Sequence, residues 1–343
     1  MKRYGNLFHK IINIDNIKLA HKNARKGKTY YSEVIMVDKD IDFYCNEISK
    51  ILEEDKFENS KYTIFTKIDK GKSREIYKLP YYPDRIIHHA IMQILEPIWI
   101  KTLISDTFQS IKGRGIHKAK SRIEPVIRSC KYKYCLKMDI KKFYPSITNK
   151  ILQCIIEKKI KCKKTLNLLY KILFSIKGVP IGNYLSQYFG NLYLTYFDHW
   201  VKEVLNVKNY YRYCDDMVLL GSTKKELHVI LGQIKTYLKD RLSLELKGDY
   251  QIFSTNRGID FLGFRFFNAY TLIRKRISKN FIKSCKVFIS SLLHSDLLKV
   301  ISYYGWIKIS NCYNLWNKYI NLIIKIIPIW YNTHTKIIQN KIK

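Results

Sequence analysis

Apolar and polar positions change their period several times along the chain, and each change marks an element. Residues 1–60 carry mainly helical spacing, clearest over Ile41–Leu52. Tyr62–Ile68 and Arg74–Leu79 read as strands, and Asp69-Lys70-Gly71-Lys72 between them predicts a hairpin tipped with glycine and two lysines. A helix is expected over Asp84–Leu95, with Asp84 in its first turn. Tyr132–Ile140 alternates and reads as a strand, and Ile147–Tyr170 returns to helical spacing. Past the Gly178-Val179-Pro180 break, Asn183–Leu205 carries a long helical pattern. Tyr210–Tyr213 and Met217–Leu220 are short strand-like runs on either side of Cys214-Asp215-Asp216, which predicts a hairpin with an acidic turn. Lys224–Leu238 is helical, Gly258–Phe267 is a candidate strand pair, and roughly the last 70 residues are largely helical. Together these elements predict an α+β chain with an antiparallel sheet at its centre.

Charge narrows the class of partner. Sixty-two Lys and Arg against 28 Asp and Glu leave a formal charge of +34 on 343 residues, spread along the whole length. Self-repulsion on that scale is relieved by a polyanion, so nucleic acid is the leading partner, with a Lys-rich proteome bias as the plainer alternative. The 27 tyrosines and 16 phenylalanines among these cations suit base stacking, although such rings also fill cores. The eight cysteines form no CxxC pair and no cluster with histidine, which argues against a zinc or redox motif. Met1-Lys2-Arg3-Tyr4 leads into polar sequence rather than a secretory leader, and the apolar run Leu322–Trp330 is interrupted by Lys325 and Pro328. A reducing, cytoplasmic setting without a membrane is expected.

Three carboxylates carry the chemistry. Asp215 and Asp216 on one tight turn repel each other, a cost that bound divalent cations offset. Asp139, at the end of a separate strand, supplies the third oxygen donor that a pair of metal ions needs. An Asp-Asp pair taken alone is more often a solvated turn.

The surrounding residues decide between these readings. Leu136-Lys137-Met138-Asp139-Ile140-Lys141-Lys142-Phe143-Tyr144 resembles the first palm motif of reverse transcriptases. Arg212-Tyr213-Cys214-Asp215-Asp216-Met217-Val218-Leu219 resembles their Tyr-x-Asp-Asp box, and Val179-Pro180-Ile181-Gly182-Asn183-Tyr184-Leu185-Ser186-Gln187 resembles their template- and nucleotide-positioning motif. The resemblance extends over Pro83–Ala90, Gly113–Ala119 and Gly258–Phe264 and so covers most of the chain. Three motifs in order are far more specific than any one of them.

The resemblance implies a right-hand polymerase fold: N-terminal segment and fingers over 1–130, palm over 131–265, helical thumb and tail over 266–343. It implies an RNA-directed DNA polymerase that takes dNTPs and makes a DNA product. Two Mg²⁺ ions, with Mn²⁺ as the alternative, would be held by Asp139, Ile140, Asp215 and Asp216. Lys70, Lys72, Arg74 and Arg85 are the implied triphosphate clamps, and Gly182 and Gln187 the implied contacts to nucleotide or template. Tyr144 stands where the family places a steric gate against ribonucleotides; the plainer reading is a core aromatic. Phe261, Leu262 and Gly263 match the primer grip. The family often has a proton-donating lysine just before that hairpin. Tyr250 falls at the aligned position here, and Lys247 is the nearby candidate acid. His88-His89 diverge by about 100° on a helix, which suits packing or RNA contact better than chelation.

The Ile181-Gly182…Ser186-Gln187 form, Arg3–Leu7 and Gly305-Trp306 resemble diversity-generating retroelement and antiphage-defence enzymes. That branch implies a dedicated non-coding RNA as template and a partner protein or second reverse transcriptase. Little sequence remains past the thumb for a nuclease domain. The alternatives are a catalytically idle RNA-binding scaffold and a polymerase making repetitive or non-templated DNA.

Overall fold

The computed structural model describes residues 2–69 and 71–328; Lys70, Ile329 and Trp330 lie outside them. Two compact units divide the chain. One comprises Met1–Gly115, Lys137–Met217 and His228–Tyr250, and the other Ile116–Leu136, Val218–Leu227 and Gln251–Lys343. Nine strands are described: β1 Thr63–Asp69, β2 Lys72–Lys78, β3 Tyr134–Asp139, β4 Tyr210–Tyr213, β5 Asp216–Gly221, β6 Gln251–Ser254, β7 Ile259–Phe261, β8 Phe264–Phe266 and β9 Thr271–Ile273. β1 and β2 form a separate antiparallel pair, β4-β5-β3-β6 is the order of a four-stranded sheet, and β7-β8-β9 is a small antiparallel sheet. The expected α+β class is what the chain adopts.

In the first unit, helices Ile14–Ala24 and Ile41–Glu53 begin where short polar side chains satisfy free backbone N–H groups. Asn13 accepts from Asp15 and Asn16, and Asp40 accepts from Phe43. The first packs against helix Ile86–Ile100 and the second against the first; helix Ile86–Ile100 buries Ile86, Ile87, Ala90, Ile91, Met92 and Leu95. Asp84 lies in the first turn of the helical segment Tyr81–Arg85 that runs into that helix, as expected, and its fully buried carboxylate accepts from the Ser60 backbone at 3.0 Å and the Ser60 hydroxyl at 2.7 Å. The helical pattern Ile147–Tyr170 is two helices, Asn149–Glu157 and Lys163–Leu173. They part because Tyr4 captures the backbone between them, with N–H···O bonds of 2.8 Å to Lys159 and from Lys161. Asn183–Leu205 is helical with an irregularity at Leu194.

In the second unit, helices Lys275–Ser291 and His294–Ile307 pack on one another. The strands β6 and β9 were not legible in the pattern: four and three residues are too few to show an alternation. No helix among the described residues is long and apolar enough to cross a membrane.

Candidate active site

Backbone pairing gathers the acidic residues. Asp139 is the last residue of β3, and the N–H of the following Ile140 donates to the carbonyl of Asp215 at 3.3 Å. Ile140 also faces Leu246 across an antiparallel bridge: Lys141 donates to Glu245 and Lys247 to Asp139, each at 2.8 Å. The strand end is therefore tied on one side to the turn carrying Asp215 and Asp216, and on the other to the segment carrying Lys247. The Lys247 ammonium lies 2.6 Å from Asp139 Oδ2, while Asp139 Oδ1 is buried without a hydrogen-bond partner. Asp216 has the Lys137 ammonium at 4.0 Å. Burial, reinforced by the charge of Asp215 and opposed by Lys247, raises the Asp139 carboxyl above its ordinary value.

An oxygen-only set with an unsatisfied buried carboxylate oxygen suits a hard divalent cation. Among the described residues no three His, Cys, Asp or Glu side chains are gathered as ligands.

The turn between β4 and β5 is braced from beneath. Arg212 on β4 is fully buried, and its pair with the equally buried Asp198 uses Nε to Oδ1 at 2.8 Å and Nη2 to Oδ2 at 2.6 Å. The opposite guanidinium edge donates to the carbonyl of Cys214 at 3.1 Å and to Asn191 Oδ1 at 3.3 Å. Tyr210 and Thr107 complete the shell of Asp198, at 2.7 and 3.2 Å. Asp198 holds Arg212 firmly protonated. Arg212 thus fixes the carbonyl immediately before the two aspartates. Reading the motif from sequence alone missed this brace. The one signal was an arginine in a run of tyrosines, opposite a helical Asp198 set among apolar neighbours.

Tyr144 is half-buried beside the same turn. Its hydroxyl accepts from the Cys214 thiol at 3.3 Å, and its carbonyl accepts from Val179 N–H at 3.0 Å. Burial pushes the Cys214 thiol up to about 12, so the donor keeps its proton at neutral pH. Gly190 faces Tyr144 closely: a Cβ there would lie 3.1 Å from Cε1 of Tyr144 and 3.1 Å from Cε1 of Phe143.

The middle motif meets the first hairpin. Tyr77 N–H on β2 donates to Ile181 O at 2.8 Å, and Gly182, at φ +130°, lies so near that a Cβ would stand 2.5 Å from Tyr77 O. Gly182 is therefore fixed by a neighbouring strand as well as available to a ligand. Gln187 is exposed, its Oε1 accepting from Ser110 Oγ at 2.6 Å. Arg74 is exposed on β2 opposite Lys67, and Lys72 begins β2 opposite Asp69. Arg85 stands at the head of helix Ile86–Ile100 near the phenols of Tyr81, Tyr31 and Tyr184, with Nε buried and without a partner, and burial lowers its pKa. His88 and His89 are buried, and desolvation lowers them to about 3 and about 4. His89 stacks on Tyr184 with centroids 4.0 Å apart. Both histidines are packing residues.

In the second unit, Leu262 and Gly263 form the turn between β7 and β8, at φ +56° and +83°. Phe261 and Leu262 are buried, and Trp306 packs where a Cβ on Gly263 would lie. The resembled primer grip is accordingly a packed turn with little side chain on show.

Known proteins can be set beside this geometry. A family model described as "Reverse transcriptase (RNA-dependent DNA polymerase)" matches residues 50–266. Protein YkfC of Escherichia coli (strain K12) is 23% identical over 253 residues, which is 60% of this chain and 65% of that protein. Apo telomerase from Candida tropicalis, truncated from its C-terminal domain, matches with a TM-score of 0.50 at 13% identity, over 64% of this chain and 55% of that one. Telomerase from Candida tropicalis in complex with a TWJ fragment of telomeric RNA matches with a TM-score of 0.51 at 13% identity, over 76% and 56%. The chain spans just over half of the telomerase chains and 65% of YkfC. What these structures share with it is the right-hand polymerase fold.

Proposed function

Because the chain belongs to the reverse transcriptase (RNA-dependent DNA polymerase) family, we propose that it extends a DNA strand on an RNA template, with Asp139, Asp215 and Asp216 at the reacting centre. The observation that carries this reading is the junction at Ile140, whose N–H bonds Asp215 O and so binds the end of β3 to the acidic turn. Asp139, Asp215, Asp216 and the backbone of Ile140 would hold divalent ions, Mg²⁺ or Mn²⁺. When bound, these make the primer 3′-hydroxyl more acidic and neutralise charge on the departing pyrophosphate. Lys247 keeps Asp139 oriented and is the ammonium we assign to proton donation toward pyrophosphate. Lys70, Lys72, Arg74 and Arg85 would clamp the triphosphate, Gln187 and the Gly182 backbone would meet the nucleotide or template base, and the turn Phe261-Leu262-Gly263 would support the primer. Tyr144 would crowd a ribose 2′-hydroxyl and so favour dNTPs.

A formal charge of +34 supports an RNA partner. We assign the template to a dedicated non-coding RNA, in antiphage defence or sequence diversification, on the resemblance around Ile181–Gln187. The test is to purify the protein with the RNA it carries, add dNTPs and Mg²⁺, and sequence the products. DNA complementary to that RNA, absent from the Asp215→Ala/Asp216→Ala variant, is the expected result. No DNA from the wild type would overturn the reading in favour of an RNA-binding scaffold.

A further inference from the structure

Tyr144 is held at three points. Its backbone carbonyl accepts from Val179 N–H at 3.0 Å, its hydroxyl accepts from the Cys214 thiol at 3.3 Å, and its ring edge lies over Gly190 where a Cβ would be only 3.1 Å away. Two of these points are side-chain choices on separate elements: the turn that carries the catalytic aspartates, and helix Tyr184–Tyr193. A gate works only if its ring cannot swing aside. A ring with rotational freedom would admit a 2′-hydroxyl at little cost, whereas a ring held at edge and tip would not.

We infer that Cys214 and Gly190 are positioning residues for sugar selection, which fix Tyr144 as a rigid wall against the ribose 2′-hydroxyl. The inference rests on the assignment of Tyr144 as the gate and adds what makes it selective. The two residues act in opposite directions. Cys214 tethers the tip of the ring, so removing its thiol frees the ring and admits ribonucleotides. Gly190 leaves the room in which the ring edge sits. A methyl there, 3.1 Å from the ring edge, would force the ring to give by a few tenths of an ångström, and on the gate assignment this crowds the sugar site further.

The experiment measures kcat/KM for dTTP and for UTP on poly(rA) primed with oligo(dT), and reads the ratio. Both substrates use the same metal ions and primer, so a general loss of activity cancels. Tyr144→Ala tests the gate itself and should lower the dTTP preference by about 10-fold or more. Cys214→Ala and Tyr144→Phe each delete the same hydrogen bond and should each lower the preference by about 2- to 10-fold. The double variant Cys214→Ala/Tyr144→Phe should be no worse than either single one, since one interaction cannot be lost twice. Cys214→Ser keeps a donor at that position and should restore the preference. Gly190→Ala should raise KM for dTTP and increase the preference.

If Tyr144→Ala collapses the ratio while Cys214→Ala and Tyr144→Phe leave it unchanged, or their effects add, the positioning inference is wrong and the gate stands. If Tyr144→Ala leaves the ratio unchanged, the gate assignment fails and takes the inference with it. A wild-type protein that incorporates neither nucleotide on this homopolymer nor on the RNA it carries overturns the polymerase reading beneath both.

Discussion

Two hairpins in this protein were visible in the sequence by the same signs, yet they are built on opposite principles. β1 and β2 pair in unbroken register from Thr63↔Lys78 to Asp69↔Lys72 and carry a basic tip. Their apolar side chains are poorly covered: Ile64, Phe65 and Ile68 are 55, 46 and 76% exposed. A two-stranded ribbon standing in water is marginal by itself. Its support is at the base, where Tyr77 leans on Ile181 and Gly182. β4 and β5 carry an acidic tip, and Tyr210, Tyr211, Met217, Val218, Leu219 and Leu220 are buried. Beneath the tip, the Arg212–Asp198 pair fixes the turn. The difference fits the roles proposed for the two hairpins. Mutually repelling carboxylates must be held in place before their counter-ions arrive, which takes a rigid, buried support. Cations that close on a triphosphate gain from reaching into solvent and pay little for waiting there.

The comparison breaks most readily at Arg212. Replacing it with alanine leaves Asp198 buried and unpaired, a loss of about 3–5 kcal/mol, together with primer extension. Urea denaturation checks the first and an extension assay the second. Arg212→Lys should recover little, because an ammonium cannot bridge Asp198 and the Cys214 carbonyl with one planar fork. Stability equal to wild type in Arg212→Ala would mean that the acidic hairpin needs no brace.

Acid should act on the support of the other hairpin. His88 and His89 are neutral in the fold down to about 3 and about 4, whereas an unfolded histidine takes up its proton near 6.5. Below that value the unfolded chain binds more protons, so stability present above about pH 6.5 falls by about 1.4 kcal/mol per pH unit for each histidine as the pH drops toward the folded values. Protonation of His89 also disrupts its stack on Tyr184, two residues beyond Gly182. Denaturation midpoints measured between about pH 7 and 5 should show this slope, and His89→Phe, which stacks without titrating, should roughly halve it. An unchanged slope would remove His89 from the account.

Gly182→Ala comes next. Strain at φ +130° and the collision with Tyr77 O should cost about 1–3 kcal/mol and shift β2, raising KM for dNTPs more than it lowers kcat. The smallest effect on stability belongs to the basic hairpin: Arg74→Ala should leave the denaturation midpoint within about 0.5 kcal/mol of wild type. It should nevertheless raise KM for dNTPs by about 10-fold through loss of a charge-assisted contact. A large stability change without a KM change would make Arg74 structural.

The candidate chemistry is written in contiguous runs. Asp139 ends an alternating strand, Asp215-Asp216 sit between two others, and Gly71 among lysines marks the first hairpin; each is a local signal that one glance along the chain recovers. The elements that were misread fail for tertiary reasons. Helical spacing runs through Lys158–Cys162, but Tyr4 pairs with that backbone and breaks the helix. Asp84 is the first-turn residue the pattern suggests, but that Ser60 covers its buried carboxylate is again a tertiary fact.

The sequence by itself determined the periodicities, the net positive charge, the order of the motifs and the identity of the acidic residues. Each of these depends on neighbours within a few positions or on simple sums over the chain. Only the tertiary structure decided which groups meet: Lys247 against Asp139, Arg212 across Asp198 and Cys214, Gly190 under Tyr144, Gly182 under Tyr77. Apart from the near neighbours Arg212 and Cys214, these contacts join residues from 14 to 108 positions apart on elements whose relative placement comes from core packing. A lysine, an arginine or a glycine carries no local mark of the partner that packing will bring to it.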